Sequence, residues 1–385
     1  MDLRTSPDEQ AFRAEARAWL EAAVAELPPK PPAEDWAARR AHDTTWQRTL
    51  HDAGYAGLDW PPEAGGRGAT PGQHLIFLEE AERAGAPYVG VGFVGLLHAG
   101  PTIAAEGSTE QRARYLPPIL RGEEVWCQGF SEPGAGSDLA SLSTRAVLDG
   151  DHYVVNGQKI WTSFAQVADF CELLVRTDPA APKHRGITWL ILPMDTPGIE
   201  VRPLRTIGGS SEFSEVFLTD VRVPVANRVG DENDGWRVAM VTFSFERGTA
   251  FVGDLLGARR LHESLVETAR ASGAWEDGGI RRELGHLGAD LDALWALTLR
   301  NVTQAERGSG VPGLGGSVFK LHYTQVRHRM GDLAMRLLGP DGLDLQDEHV
   351  RGWVYAMSMT IAAGTTQIQR NIIGERILGL PKEPA

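Results

Sequence analysis

GFSEPGAGSDLASLSTRA, running from Gly129 to Ala146, and HYVVNGQKIWTSF, from His152 to Phe164, decide how this chain is read. Each joins chain-reversing glycines to small hydroxyl residues and an aromatic, a combination suited to backbone wrapped around a planar ligand with polar edges. In the second stretch Asn156-Gly157 separates HYVV from QKIW, and both residues tolerate positive φ, so the spacing predicts a two-residue type I′ hairpin. Trp161 and Ser163 lie two apart in the second arm and are expected to share one face of it.

Outward from these stretches, β-type runs continue as FCELLVRT, ITWLILPM, IEVRPL and SEVFLTDVRV, at the spacing of a sandwich or barrel. On the N-terminal side the period is helical. Ser6-Pro7-Asp8-Glu9 is a capping box with proline at the first helical position, and Phe12, Ala16, Trp19, Leu20, Ala23, Val24 and Leu27 follow at spacings of three and four. LPPKPP at 27–32 breaks that helix. Helical patterns also span about 33–53 and 73–85, and Ser108 to Gln111 forms a second capping box. After Gly230 long helical patterns resume, interrupted by GVPGLGG at 310–316, which reads as a loop. The expected organisation is α+β and multidomain, with a helical domain over 1–122, a β-domain over 123–229 and a helical domain over 230–385.

Composition narrows the function. A formal charge of −13, from 38 basic and 51 acidic residues, argues against nucleic acid as a partner, while leaving room for a small anionic ligand met by a few local donors. Cys127 and Cys171 sit in apolar strand-like contexts without CxxC or metal-ligand spacing and read as buried thiols, which suits a reducing cytoplasm. No metal site is expected. The N-terminus MDLRTSPDEQAF has no apolar signal core, and no run of about 18 apolar residues occurs, so neither export nor membrane insertion is expected.

The two opening motifs, their order, and the C-terminal TTQIQRNIIGERILGLP at 365–381 resemble the acyl-CoA dehydrogenase family. The resemblance implies N-terminal helices, a central β-barrel or sandwich and a C-terminal four-helix bundle. It further implies an FAD cofactor, an acyl-CoA substrate, an electron-transfer flavoprotein as electron acceptor, and a homodimer, homotetramer or heteromer with a paralogue. Residues matching Phe130, Ser131 and Ser137 line the isoalloxazine and pyrophosphate in the family, and those matching Trp161 and Ser163 cover a ring face and bond its polar edge. Thr365, Gln367 and Gln369 are expected to meet FAD across a subunit boundary. Donors at the flavin edge make it a better electron acceptor, because the reduced ring carries charge there.

The reaction implied by the resemblance is α,β-desaturation of an acyl thioester. A carboxylate removes a proton from Cα, Cβ delivers hydride to flavin N5, and the thioester carbonyl is hydrogen-bonded so that Cα becomes acidic. Most members carry that glutamate in E-G-T-x-Q-I-Q-R, but here Ala363 precedes Gly364-Thr365. Ala363 cannot take a proton, although its backbone N–H can still donate to the thioester oxygen. A second family location for the base, in an x-E-R motif on the helix opening the C-terminal domain, is matched by Phe245-Glu246-Arg247-Gly248. Ala239, Thr242, Phe243, Thr249, Ala250 and Gly253 lie three, four or seven residues from Glu246, and all but Phe243 are small, leaving space for a ligand chain. Two motifs depart from the family: Arg281-Arg282-Glu283-Leu284-Gly285-His286 stands where R-x-x-F-G is usual, and Arg336 to Gly342 replaces a Q-x-L-G-G-x-G pattern near the adenine. The reading is an FAD-dependent dehydrogenase with Glu246 as base and Arg247 beside it. The alternatives are a non-catalytic subunit of a heteromeric dehydrogenase and a flavin oxidase or monooxygenase on the same fold.

Overall fold

The computed structural model describes residues 6–246, 250–307 and 314–382; the side chains at 246, 250, 251 and 314 also lie outside the description. In chain order the elements are α1 (Pro7–Ala25), α2 (Trp36–Asp52), α3 (Pro71–Ala84), α4 (Gly100–Glu106), α5 (Thr109–Leu120), β1 (Trp126–Gly129), β2 (Arg145–Asp149), β3 (His152–Ser163), β4 (Phe170–Arg176), β5 (Ile187–Pro193), β6 (Ile199–Leu204), β7 (Phe213–Pro224) and β8 (Arg228–Val229). Then come α6 (Gly235–Glu246), α7 (Ala250–Ala271), α8 (Gly278–Glu306), α9 (Leu314–Leu338), α10 (Glu348–Met359) and α11 (Thr366–Ile372). They form two compact units, one of Met1–Leu20, Thr70–Gly85 and Arg247–Ala385, the other of Glu21–Ala69 and Ala86–Glu246.

The first unit is helical. α1 opens with the expected box, Ser6 N donating to Glu9 Oε2 at 2.7 Å and Glu9 N to Ser6 Oγ at 3.2 Å. Its Phe12, Ala16 and Leu20 are buried. Beside it α3 starts at Pro71 behind a Thr70–Gln73 capping box. The buried Glu80 of α3 binds Arg13 and Arg17 of α1 and Arg83 of its own helix, and these bonds, Arg17 foremost, hold its carboxyl at about 2 against the opposing effect of burial. α7, α8 and α9 bury Leu255, Leu265, Leu287, Leu291, Val326 and Met330 in one core, with Met359 of α10 packed on it. GVPGLGG falls partly outside the described residues; its last three residues belong to α9, where a Cβ on Gly315 would come within 2.6 Å of Asn301.

The second unit carries the sheet. Its strand order is β6-β7-β3-β2-β4-β5-β8, with β1 parallel beside β4. Strands from across that path bury Cys127, Tyr153, Val155, Leu173, Leu190, Val216 and Val221 in a single core. Cys127 and Cys171 are register partners and free, and burial pushes the Cys127 thiol well up. The hairpin expected at Asn156-Gly157 is not there. β3 runs unbroken through both residues, and the chain reverses at Gly150 instead, between β2 and β3. Asn156 and Gly157 form a bulge opposite β7: the Asn156 amide donates to Asp220 Oδ1 at 3.0 Å and its oxygen accepts from Asp220 N at 2.9 Å. Gly157 is needed for contact, since a Cβ there would lie 2.5 Å from Thr144 Oγ1.

Candidate active site

The loop after β1 is built on a charge pair hidden beneath it. At Gly129 a Cβ would strike Cys171 Sγ and Leu173 Cδ1 at 2.8 Å, so only glycine lets the chain leave the strand there. Glu132 and Ala135 exchange two backbone bonds of 3.0 Å, closing the Pro133-Gly134 turn. The Glu132 carboxylate accepts from Ser143 N at 2.7 Å, Ser143 Oγ at 2.8 Å and Thr144 N at 2.8 Å, which ties the far end of the loop to its start. Lys159 of β3, fully buried, donates to Glu132 Oε1 at 2.8 Å and to the Phe130 carbonyl at 3.1 Å. Burial alone would raise the Glu132 pKa, but the ammonium and these hydrogen bonds outweigh it and hold the carboxyl at about 2. Burial also pulls Lys159 below the usual lysine range, with Glu132 opposing the drop. Sequence reasoning missed this pair. A lysine amid alternating β residues reads as solvent-facing, and its partner is 27 residues away.

On that frame the ligand-facing residues divide. The Phe130 ring is buried and meets Phe243 of α6 edge-on, with centroids 5.8 Å apart. Ser131 is half-buried with its carbonyl held by Ile160 N at 3.0 Å, and Ser137 is exposed. Trp161 has φ 60° and is 58% exposed, an unusual state for so large a ring in a strand. Thr162 between it and half-buried Ser163 is buried, so Trp161 and Ser163 stand on one side as expected, through a register break between Lys159 and Thr162 rather than a regular pleat. Such φ costs about 1–3 kcal/mol and persists where the surroundings impose it. A projecting indole beside serine hydroxyls on a rigid loop fits a planar group with polar edges.

α6 leads to the expected base. Its first turn is pinned by Arg237, bonded to Glu106 of α4 at 2.7 and 2.8 Å and to Asp234 at 2.6 Å. Ala239 and Thr242 are buried, and Thr242 Oγ1 lies 2.9 Å from Thr102 Oγ1 of α4. α6 is described as far as Glu246; the Glu246 side chain, and Arg247 and Thr249 entirely, lie outside the described residues. Ala250 and Gly253, placed by spacing on the Glu246 face, lie in α7, on the far side of residues 247–249, which are outside the described residues.

In the helical unit, Ala363 is exposed at φ 52° and Gly364 follows at φ 84°. The Ala363 carbonyl accepts from Gln369 Nε2 at 2.9 Å, and the Gly364 carbonyl accepts from Lys320 Nζ. Thr365 caps α11 by accepting from Ile368 N at 3.2 Å. Gln367 is exposed, whereas Gln369 is buried and serves its own turn. Arg282 and His286 of α8 line an open depression of about 480 Å³ together with Arg336, which opens the second departing motif, and Arg329, which neither motif contains.

The chain matches the N-terminal domain of acyl-CoA dehydrogenases over residues 6–123, their middle domain over 127–221 and their C-terminal domain over 233–378. It belongs to the acyl-CoA dehydrogenase family, a class of oxidoreductases for which FAD is the implied cofactor. It is 41% identical to acyl-CoA dehydrogenase IpdE1 of Mycobacterium tuberculosis, over 98% of this chain and 99% of that protein. Acyl-CoA dehydrogenase FadE26 of the same organism is 39% identical over 86% of each chain. Among solved structures, the Tcur3481-Tcur3483 steroid ACAD superposes with a TM-score of 0.84 at 32% identity, and the ChsE4-ChsE5 complex from Mycobacterium tuberculosis with 0.83 at 34%, each covering 100% of both chains. Among the described residues no helix is long and apolar enough to cross a membrane.

Proposed function

We propose that this chain desaturates the α,β bond of a lipid- or steroid-derived acyl-CoA, with FAD as cofactor and Glu246 as base, and passes the electrons to an electron-transfer flavoprotein in the cytoplasm. The observation that carries the assignment of the base is in the sequence: alanine stands at 363, the usual base position, while Glu246-Arg247 matches the alternative x-E-R motif. FAD, when bound, supplies the acceptor for the hydride that leaves Cβ. Phe130, Ser131 and Ser137 would line its isoalloxazine and pyrophosphate, Trp161 and Ser163 would cover a ring face and bond its polar edge, and Thr365, Gln367 and Gln369 belong to the segment that would serve a neighbour's cofactor. Glu246 accepts the Cα proton, with Arg247 beside it in the motif. The Ala363 N–H donates to the thioester oxygen, where negative charge grows as that proton departs. The assembly is a homodimer, a homotetramer or a heteromer with a paralogue; the two-component names of the steroid ACAD and of the ChsE4-ChsE5 complex favour the last.

Glu246→Gln keeps shape but not basicity, so turnover of acyl-CoA with an artificial electron acceptor should fall by about 10² or more while flavin content holds. Wild-type turnover in that variant would eliminate this mechanism. A second reading, a subunit that binds without catalysing, is favoured by the alanine at 363; wild type with no turnover on any thioester, alone or with its partner, would establish it.

A further inference from the structure

We propose that Lys320 is a positioning residue: from α9 it holds the turn through Ala363 so that the Ala363 N–H is presented to the thioester oxygen. The inference deepens the acyl-CoA dehydrogenase reading and rests on it.

The turn joins α10 to α11, and α9 packs on both helices. Backbone bonds close it at either end: Ile361 N and Ala362 N donate to the Ser358 carbonyl at 2.9 and 3.0 Å, and Thr366 N donates to the Thr360 carbonyl at 2.9 Å. Two buried side chains grip its apex. Lys320, 3% exposed, donates through Nζ to the Gly364 carbonyl, and Gln369, 2% exposed, donates through Nε2 to the Ala363 carbonyl at 2.9 Å. Glycine is needed at 364 for this grip, since a Cβ there would come within 2.8 Å of Gln369 Nε2. All of these residues belong to one compact unit.

The grip separates acceptors from donors. Both apex carbonyls are taken, one by α9 and one by α11, whereas Ala363 is exposed and its N–H meets no acceptor among the described residues. An exposed backbone donor on a turn whose carbonyls are occupied is the arrangement that a developing oxyanion requires. Consecutive residues at φ 52° and 84°, the first of them alanine, hold that conformation only while outside bonds impose it. Ser317 and Thr324, three and four residues from Lys320 on the same face of α9, are buried and neutral. An ammonium buried among them is far costlier than another hydroxyl. Its use lies where negative charge grows, on the thioester oxygen as Cα loses its proton.

Lys320→Met removes the ammonium and keeps the length of the side chain. In flavin-loaded protein with any natural partner, kcat on an acyl-CoA should fall about ten- to a hundredfold while KM stays within about threefold, and Lys320→Arg, which keeps charge and donor, should recover part of the loss. Two ligands tell positioning from general loosening. An S-alkyl-CoA has no carbonyl, so Lys320→Met should leave its dissociation constant unchanged. A 3-thiaacyl-CoA has an acidic Cα proton, and its ionisation when bound, read from the absorbance of the enolate, depends on donors at the carbonyl oxygen; its ionisation constant should fall about tenfold. Flavin content reports folding; if Lys320→Met does not fold, Gln369→Met, expected to act in the same direction with a smaller effect, decides by the same ligand pair. Equal weakening of both ligands, or kcat and ionisation both unchanged, overturns the inference and leaves the dehydrogenase reading standing. Ionisation that depends on Lys320, without turnover in the wild type, defeats the dehydrogenase reading and upholds this one; a wild type that shows neither defeats both.

Discussion

In both the loop from Gly129 to Ala146 and the turn through Ala363, a lysine bonds a backbone carbonyl, Lys159 that of Phe130 and Lys320 that of Gly364. A non-glycine residue close by sits at positive φ in each, Trp161 at 60° and Ala363 at 52°. The remaining bonds differ in kind. Glu132 gathers an ammonium, two backbone N–H groups and a hydroxyl onto one buried carboxylate. The Ala363 turn is held by the neutral Gln369 amide and followed by a neutral threonine cap. The first loop is thus fixed by ionisation inside a β core, so its geometry should depend on charge and pH in a way that the second does not.

The largest expected effect breaks the charged frame. Lys159→Met leaves Glu132 buried without its counter-ion and should cost roughly 3–5 kcal/mol, seen as a loss of denaturant midpoint. Adding Glu132→Gln removes the orphaned charge and should recover part of that loss. A single Lys159→Met variant as stable as wild type would show that the backbone donors suffice for Glu132.

Acid should separate the two regions without mutation. Glu132 sits at about 2 in the folded chain against an ordinary 4.5, so its contribution is complete above the unfolded value and disappears as pH falls from about 4.5 to about 2. That window is worth about 3 kcal/mol. Amide exchange, corrected for its intrinsic pH dependence, should therefore accelerate over 130–144 before it does over 361–369. Simultaneous loss of protection would mean that the charged frame is not what limits opening of the loop.

Much of this arrangement was legible in the sequence where its cause is local. The Ser6 and Ser108 boxes appear as read, because a cap and its N3 partner are three residues apart. Asn156-Gly157 misled for the same reason: its local preference for a turn was overridden by pairing with Asp220, 64 residues away. The glycine was still required, for its contact with Thr144 rather than for a reversal. Glu132 with Lys159, and Lys320 with Gly364, are products of strand pairing and helix packing. No spacing along the chain announces them. The hydroxyl and aromatic ligand set was visible as composition, but the strain that turns Trp161 outward was not, because backbone angles of a bulge are decided by its partner strand.

The smallest expected effect tests the strain shared by both regions. Trp161 cannot be used cleanly, since its removal also deletes an edge contact with Phe213 at 6.0 Å. Ala363 can, because its methyl is exposed and its turn is held by backbone carbonyls that any residue would supply. An L-residue in the left-handed region pays about 1–2 kcal/mol per residue, which glycine avoids, while glycine gives back about 0.5–1 kcal/mol through the greater freedom of its unfolded chain. Ala363→Gly should therefore be slightly stabilising, by about 0.5 kcal/mol, and should raise the thermal midpoint by a degree or two. A loss of 1 kcal/mol or more, on the order of a buried methyl, would mean that the Ala363 side chain is covered in the assembled protein. The turn would then be fixed by packing as well as by its hydrogen bonds.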